Sequence, residues 1–117
     1  MRNLIKVPVN GLCFLLPVLF IISCNTPDNK PVENTHSVDT VVIKLMQFSP
    51  AQLHVKIGDT VLWINKDIVD HNVTEEKNKS FYSDTLAVGK SWKMVVKDSA
   101  NYFCSLHPSM KGTLVLK

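Results

Sequence analysis

The chain has 117 residues, 13 Lys+Arg against 10 Asp+Glu, and 45% hydrophobic positions. That length suits one domain with its own core, while a 20% charged fraction excludes an acidic disordered activator and a net charge of +3 excludes a dedicated nucleic-acid binder. Three cysteines, Cys13, Cys24 and Cys104, exclude a disulfide framework, so each needs its own account.

At the start of the chain, Arg2 and Lys6 precede an apolar run from Leu12 to Ile22 that Pro17 interrupts. A membrane span needs roughly 20 apolar residues, so this shorter run is expected to be a secretory signal. The junction Ile21-Ile22-Ser23-Cys24 resembles a bacterial lipobox, which implies cleavage before Cys24 and acylation of its thiol. Residues 1–23 then form a lipoprotein signal peptide, and Cys13 is discarded with it. An ordinary signal cut further on, with Cys24 incidental, is the plain alternative. Residues 24–37 contain Pro27, Pro31 and several Asn and Asp, with Val32 as the one aliphatic residue, and read as a polar tether. As a flexible coil, the stretch after Cys24 spans about 20 Å. His36 within it reads as a solvated histidine.

Residues 38–117 are expected to be the folded domain. Asp39–Met46 is rich in β-branched residues and stops at Phe48-Ser49-Pro50. Leu53, Val55 and Ile57 alternate with His54 and Lys56 up to Gly58-Asp59, which puts His54 on the outer face. Thr60–Asn65 is apolar on both faces, Val61 and Trp63 against Leu62 and Ile64, as a central strand would be. His71–Thr74, Phe81–Leu86, Ser91–Lys97, Asn101–Cys104 and Thr113–Leu116 follow, and Met46 and Met94 read as core filling. About eight short strands with no sustained helical periodicity predict an all-β sandwich or barrel.

Chemistry concentrates between the last two strands, in Cys104-Ser105-Leu106-His107-Pro108-Ser109-Met110. A tight loop can turn this thiol, imidazole and thioether toward one point, and His71 at another strand edge offers a second imidazole. Two imidazoles and a thiolate with a weak axial thioether make an electron-transfer copper site. Taken singly, Cys104 is a small buried hydrophobe, Met110 a core filler and His107 a surface residue. Zinc takes the same thiolate and imidazoles, but it has little use for the thioether.

Phe48–Thr74 (FSPAQLHVKIGDTVLWINKDIVDHNVT) and Tyr102–Gly112 (YFCSLHPSMKG) resemble a cupredoxin of the plastocyanin and amicyanin kind. The resemblance covers nearly all of Val38–Lys117, and the Cys-x2-His-x2-Met spacing is most similar to amicyanin. It implies a Greek-key sandwich holding one type 1 copper, with His71, Cys104 and His107 as strong ligands and Met110 as the axial one. It also implies that Asn72 bonds across to the cysteine loop, and that Leu106 and Pro108 flank His107 in an apolar docking patch. Relatives often carry proline before the first histidine. Here stands Asp70, with Asp67 nearby, either placing negative charge beside the site or leaving a solvated carboxylate.

The function this implies is an exported, lipid-anchored one-electron carrier in the cell envelope. It would work as a monomer between a donor and an acceptor of the cytochrome or oxidase type. Copper delivery or storage for an exported cuproenzyme is the alternative, against which stands the lack of an extra Met or His cluster. An enzyme is not expected: outside His71 and His107 only His36 and His54 remain, too few for a second copper centre.

Overall fold

The computed structural model describes residues 35–117, together with Gly11 and Glu33 standing singly. The expected signal peptide, the acylation site Cys24 and most of the tether lie outside the described residues. Among the described residues no helix is long and apolar enough to cross a membrane.

Among the described residues eight strands form: β1 (Val38–Lys44), β2 (Gln47–Ser49), β3 (Gln52–Val55), β4 (Thr60–Asn65), β5 (Thr74–Glu75), β6 (Ser91–Val95), β7 (Ala100–Cys104) and β8 (His107–Leu116). They make two four-stranded sheets, ordered β2-β1-β4-β6 and β3-β8-β7-β5. β1 runs parallel to β4, and β3 runs parallel to β8, so the chain crosses between sheets instead of meandering within one. This is an all-β sandwich, one of the two architectures that the strand spacing predicted and the one that the resemblance implied. β4 sits inside its sheet, with Val61, Trp63 and Asn65 buried and Thr60, Leu62 and Ile64 half-buried between neighbours.

The two inner faces meet on aromatic rings. Trp63 of one sheet meets Tyr102 of the other edge-on, at 5.6 Å and 89°, and lies 5.2 Å from Trp92. Val41, Ile43, Val55, Val61, Val73 and Leu114 fill the space around them, all fully buried. Tyr102 pairs with Gly112 across the β7–β8 ladder, and its ring occupies the place a Cβ would take at Gly112. Only glycine lets the ring lie against β8. Burial pushes the Tyr102 hydroxyl up to about 12.

Several expectations need correcting. The run Asp39–Met46 is not one strand, because Leu45 and Met46 both adopt left-handed backbone (φ 52° and 59°) and turn β1 into β2. Met46 is therefore 42% exposed and not core filling. Ile57 is also exposed, since β3 has ended at Val55 and the chain is turning. Phe81–Leu86 forms no strand. Its inward residues, Ser83 and Leu86, stand three apart, and Asp84 at φ 55° takes the chain out of extended conformation. Only single bridges remain there, Thr74 to Tyr82 and His71 to Leu86. The last strand begins at His107, not Thr113, so two of the expected loop ligands sit on a strand. His36 is half-exposed, as expected, but it is not free of the domain: its ring lies over Gly58, with Nδ1 4.0 Å from Asp59 Oδ1. Gly58, at φ 94°, leaves the room for it.

One buried acid stabilises a turn at the other end of β5. The Glu75 carboxylate accepts the backbone N–H groups of Lys77, Asn78 and Ser80, and these hold its pKa down at about 2, the Lys77 N–H contributing most. A folded-state pKa below the ordinary 4.5 means stability that is complete above that value and lost as pH falls toward 2. The metal-free protein is therefore expected to melt at progressively lower temperature between about pH 4.5 and pH 2. Glu75→Gln, compared by thermal melts across that window, should start lower at pH 7 and fall less steeply. A parallel pair of curves would refute the assignment.

Candidate metal centre

Two segments bring the donors together at one end of the sandwich. From the end of β4 a short loop leads to His71, whose backbone pairs with Leu86 in both directions (N–H to O at 3.2 Å and 2.7 Å). The other segment is the β7–β8 hairpin, turned at Ser105–Leu106. Cys104 faces His107 across it, whereas Phe103 faces Lys111, so Pro108, Ser109 and Met110 form a bulge on β8 alone. Pro108 has no N–H to give to a ladder, which fits it for that position. The bulge leaves Pro108 and Ser109 exposed and returns Met110 to the interior at 2% exposure.

His71, Cys104 and His107 each offer one ligand atom within 4.8 Å of the others. Cys104 Sγ lies 3.7 Å from Nδ1 of His71 and 3.7 Å from Nδ1 of His107. Bonds of about 2.3 Å to sulfur and about 2.0 Å to nitrogen, opened to 120° in a trigonal plane, would separate those atoms by about 3.7 Å. A tetrahedral angle would bring them to about 3.5 Å with the same bonds, so the three side chains stand close enough to share one metal ion. His71 and Cys104 are fully buried and His107 is half-buried, so the only ring edge near solvent is that of His107.

The surroundings fix each donor. Asn72 donates its backbone N–H to Cys104 Sγ at 3.3 Å, its Nδ2 donates to Ser105 Oγ at 2.7 Å, and its Oδ1 accepts the Ser105 N–H at 2.7 Å. One side chain thus ties the His71 segment to the hairpin turn, as the resemblance implied for Asn72. On the far side of His71, Asp67 Oδ2 lies 3.0 Å from Nε2 and also accepts the Met46 N–H at 2.8 Å. The Asp67 pKa is held at about 2, chiefly by the N–H groups of Met46 and Ile68 and then by His71. A fixed carboxylate behind a ligating imidazole sets its tautomer and makes it a stronger donor.

Of the two acids weighed from sequence, Asp67 is the one engaged with the donors, while Asp70 stands exposed in solvent. The loop proline of relatives is missing, and the Asp67 contact holds the His71 ring from behind. Leu106, 48% exposed, and Pro108, also exposed, stand on either side of His107 in the chain. Sequence reasoning overlooked Ile68, Val69, Leu45 and Met46, four further exposed apolar residues at this end of the sandwich. The signal for two of them was present: Ile68 and Val69 are apolar residues in a loop that ends on a donor. His36 and His54 take no part in the cluster.

Residues 35–117 match the family described as copper binding proteins, plastocyanin/azurin family. The chain is 29% identical over 106 residues to amicyanin of Paracoccus denitrificans, covering 78% of this chain and 76% of that protein. It is 26% identical over 87 residues to amicyanin of Paracoccus versutus, covering 68% of this chain but 66% of that one, just short of two thirds. Among solved structures, a purple cupredoxin from Nitrosopumilus maritimus superposes with a TM-score of 0.62 at 26% identity, over 68% of this chain and 99% of that chain.

Proposed function

Since this chain belongs to the plastocyanin/azurin family of copper-binding proteins, we propose that it is an exported, lipid-anchored one-electron carrier in the cell envelope. The chain binds one type 1 copper. His71, Cys104 and His107 are its strong ligands in this reading, and Met110 is the axial one. Copper supplies the chemistry, cycling between Cu(I) and Cu(II). The observation that carries the reading is the pair of equal 3.7 Å separations between Cys104 Sγ and the two imidazole nitrogens. Three donors held within 4.8 Å of one another by the fold itself would suit both oxidation states, leaving the protein little to rearrange when an electron leaves or arrives.

Each residue has a task in that exchange. The Asn72 N–H on Cys104 Sγ withdraws charge from the thiolate and steadies it. Asp67 holds the His71 ring. Half-buried His107, between exposed Leu106 and Pro108, is the place where an electron enters and leaves. A donor or acceptor of the cytochrome or oxidase type would dock there briefly, over a small interface. Transfer rates with such a protein, set against copper transfer to a metal-free acceptor, test carriage against delivery. Fast electron exchange with copper retained is the expected result; copper lost to the acceptor without electron exchange would refute it.

Two further expectations follow. Met110→Gln replaces a soft thioether with a hard oxygen, which favours Cu(II), so the reduction potential should fall while copper stays bound. Voltammetry and metal analysis of the same sample check both halves, and loss of copper would remove Met110 from the axial role. For the anchor, Cys24→Ala should release the protein from the membrane fraction or block its maturation. Unchanged processing and partition would leave a plain signal peptide as the correct reading.

A further inference from the structure

We propose that Asn65 is the positioning residue for the first imidazole ligand, an inference that rests on the copper-carrier reading above. Asn65 closes β4 and is fully buried, and its hydrogen bonds among the described residues go to none of the four donors. Its side-chain Nδ2 donates to Val69 O and to Leu86 O, both at 2.8 Å, and its Oδ1 accepts the Asp67 N–H at 2.9 Å. Its backbone N–H donates to Lys90 O at 2.9 Å, and its carbonyl accepts the Gly89 N–H at 2.8 Å. The residue is thus bonded to the loop before His71 at two points and to the segment opposite His71 at three.

Those two segments are what hold His71. Asp67 grips the ring through Nε2, and Leu86 pairs with the backbone. Asn65 binds both. The donors therefore belong to two separate pieces, the β7–β8 hairpin with Cys104, His107 and Met110, and the 66–71 loop with His71 alone. Asn72 sets the hairpin against His71 from the side of the metal, and Asn65 sets the loop against the sheet from the opposite side.

The chemistry requires asparagine. A short side chain with two N–H donors and one carbonyl acceptor matches three partners that point inward from two loops. Aspartate has the acceptor and lacks the donors. Alanine leaves the buried Asp67 N–H without its acceptor, and an unsatisfied buried donor is expensive enough to move a loop.

The test uses the full chain, copper-loaded and metal-free. In Asn65→Ala, copper should dissociate about tenfold to a hundredfold faster, as when a partner of a ligand is lost. The thiolate-to-copper absorption bands should change their intensity ratio, and the reduction potential should shift. In the metal-free variant, amide exchange should accelerate over residues 66–71 and stay as in the parent over residues 101–116. Asn65→Gln, which keeps the amide on a longer stem, should recover part of each change. Glu75→Gln serves as the control, losing stability with the copper spectrum unaltered. Should Asn65→Ala not fold, Asn65→Ser is read for the same quantities. Unchanged bands, potential, dissociation and exchange in a folded Asn65 variant would overturn the inference. A parent chain that forms no thiolate-to-copper band would overturn the carrier reading instead, and the exchange arm would still decide the role of Asn65.

Discussion

Cys104→Ser is expected to abolish the intense visible absorption of the copper-loaded protein completely while leaving the sandwich folded. Cys104 is the only cysteine among the described residues, and its sulfur is the point from which both imidazole nitrogens stand at 3.7 Å. A serine hydroxyl is a hard, protonated donor and has no thiolate-to-copper transition, so the colour has no other source. The fold should tolerate the change because the backbone N–H that donates to that sulfur, from Asn72, can be accepted by the serine oxygen instead. Titration with Cu(II) followed by visible absorption reads the first half, and far-ultraviolet circular dichroism reads the second. Colour that survives the substitution would mean another donor set.

Trp63→Ala should produce the largest loss of stability, about 3–5 kcal/mol, since it removes a fully buried aromatic side chain from a packed core. Trp63 stands on a central strand and meets Tyr102, Trp92 and Phe81, so its removal opens a cavity that rigid rings on both sheets cannot close. The loss should be chiefly one of packing, since the indole sits among rings of both sheets. At about 4–8 °C per kcal/mol for a domain of this size, the melting temperature should fall by well over ten degrees. Urea unfolding should show a lower midpoint at an unchanged slope. A shift worth less than about 1 kcal/mol would mean that the core collapses around the gap, and that the aromatic contacts are not what joins the sheets.

The donor residues were legible because a thiol, an imidazole and a thioether at intervals of three are rare and chemically specific. The central strand was legible too: Val61-Leu62-Trp63-Ile64 is apolar on both faces, and the structure covers both faces. What stayed hidden depended on backbone conformation and on partners distant in sequence. Nothing about Leu45-Met46 announces two consecutive left-handed residues, a conformation normally carried by Gly, Asn or Asp. Phe81–Leu86 has strand composition, yet Asp84 breaks it and hydrogen bonds to Val73 and His71 replace a ladder. The two loop acids looked alike, and the choice of Asp67 was made by the Met46 N–H, 21 residues away in the chain. Asn65 looked like the polar end of an apolar strand. Its partners, Asp67, Val69 and Leu86, meet only after the sheet has formed.

The parallel pairing of β3 with β8 joins Gln52–Val55 to Thr113–Leu116 and lays the last strand in chain order inside its sheet, between β3 and β7. A nascent chain can therefore pair β1 with β2 and β4 early, but it cannot close the second sheet until β8 arrives. Contacts that distant in sequence make assembly slow. Until then the thiol of Cys104 is uncovered, and His107 and Met110 have no fixed place opposite it. Copper met during that interval would find loose donors able to bind it in the wrong arrangement. The order of the strands thus sets when the donor cluster can be complete, which is only after β8 has paired with its neighbours.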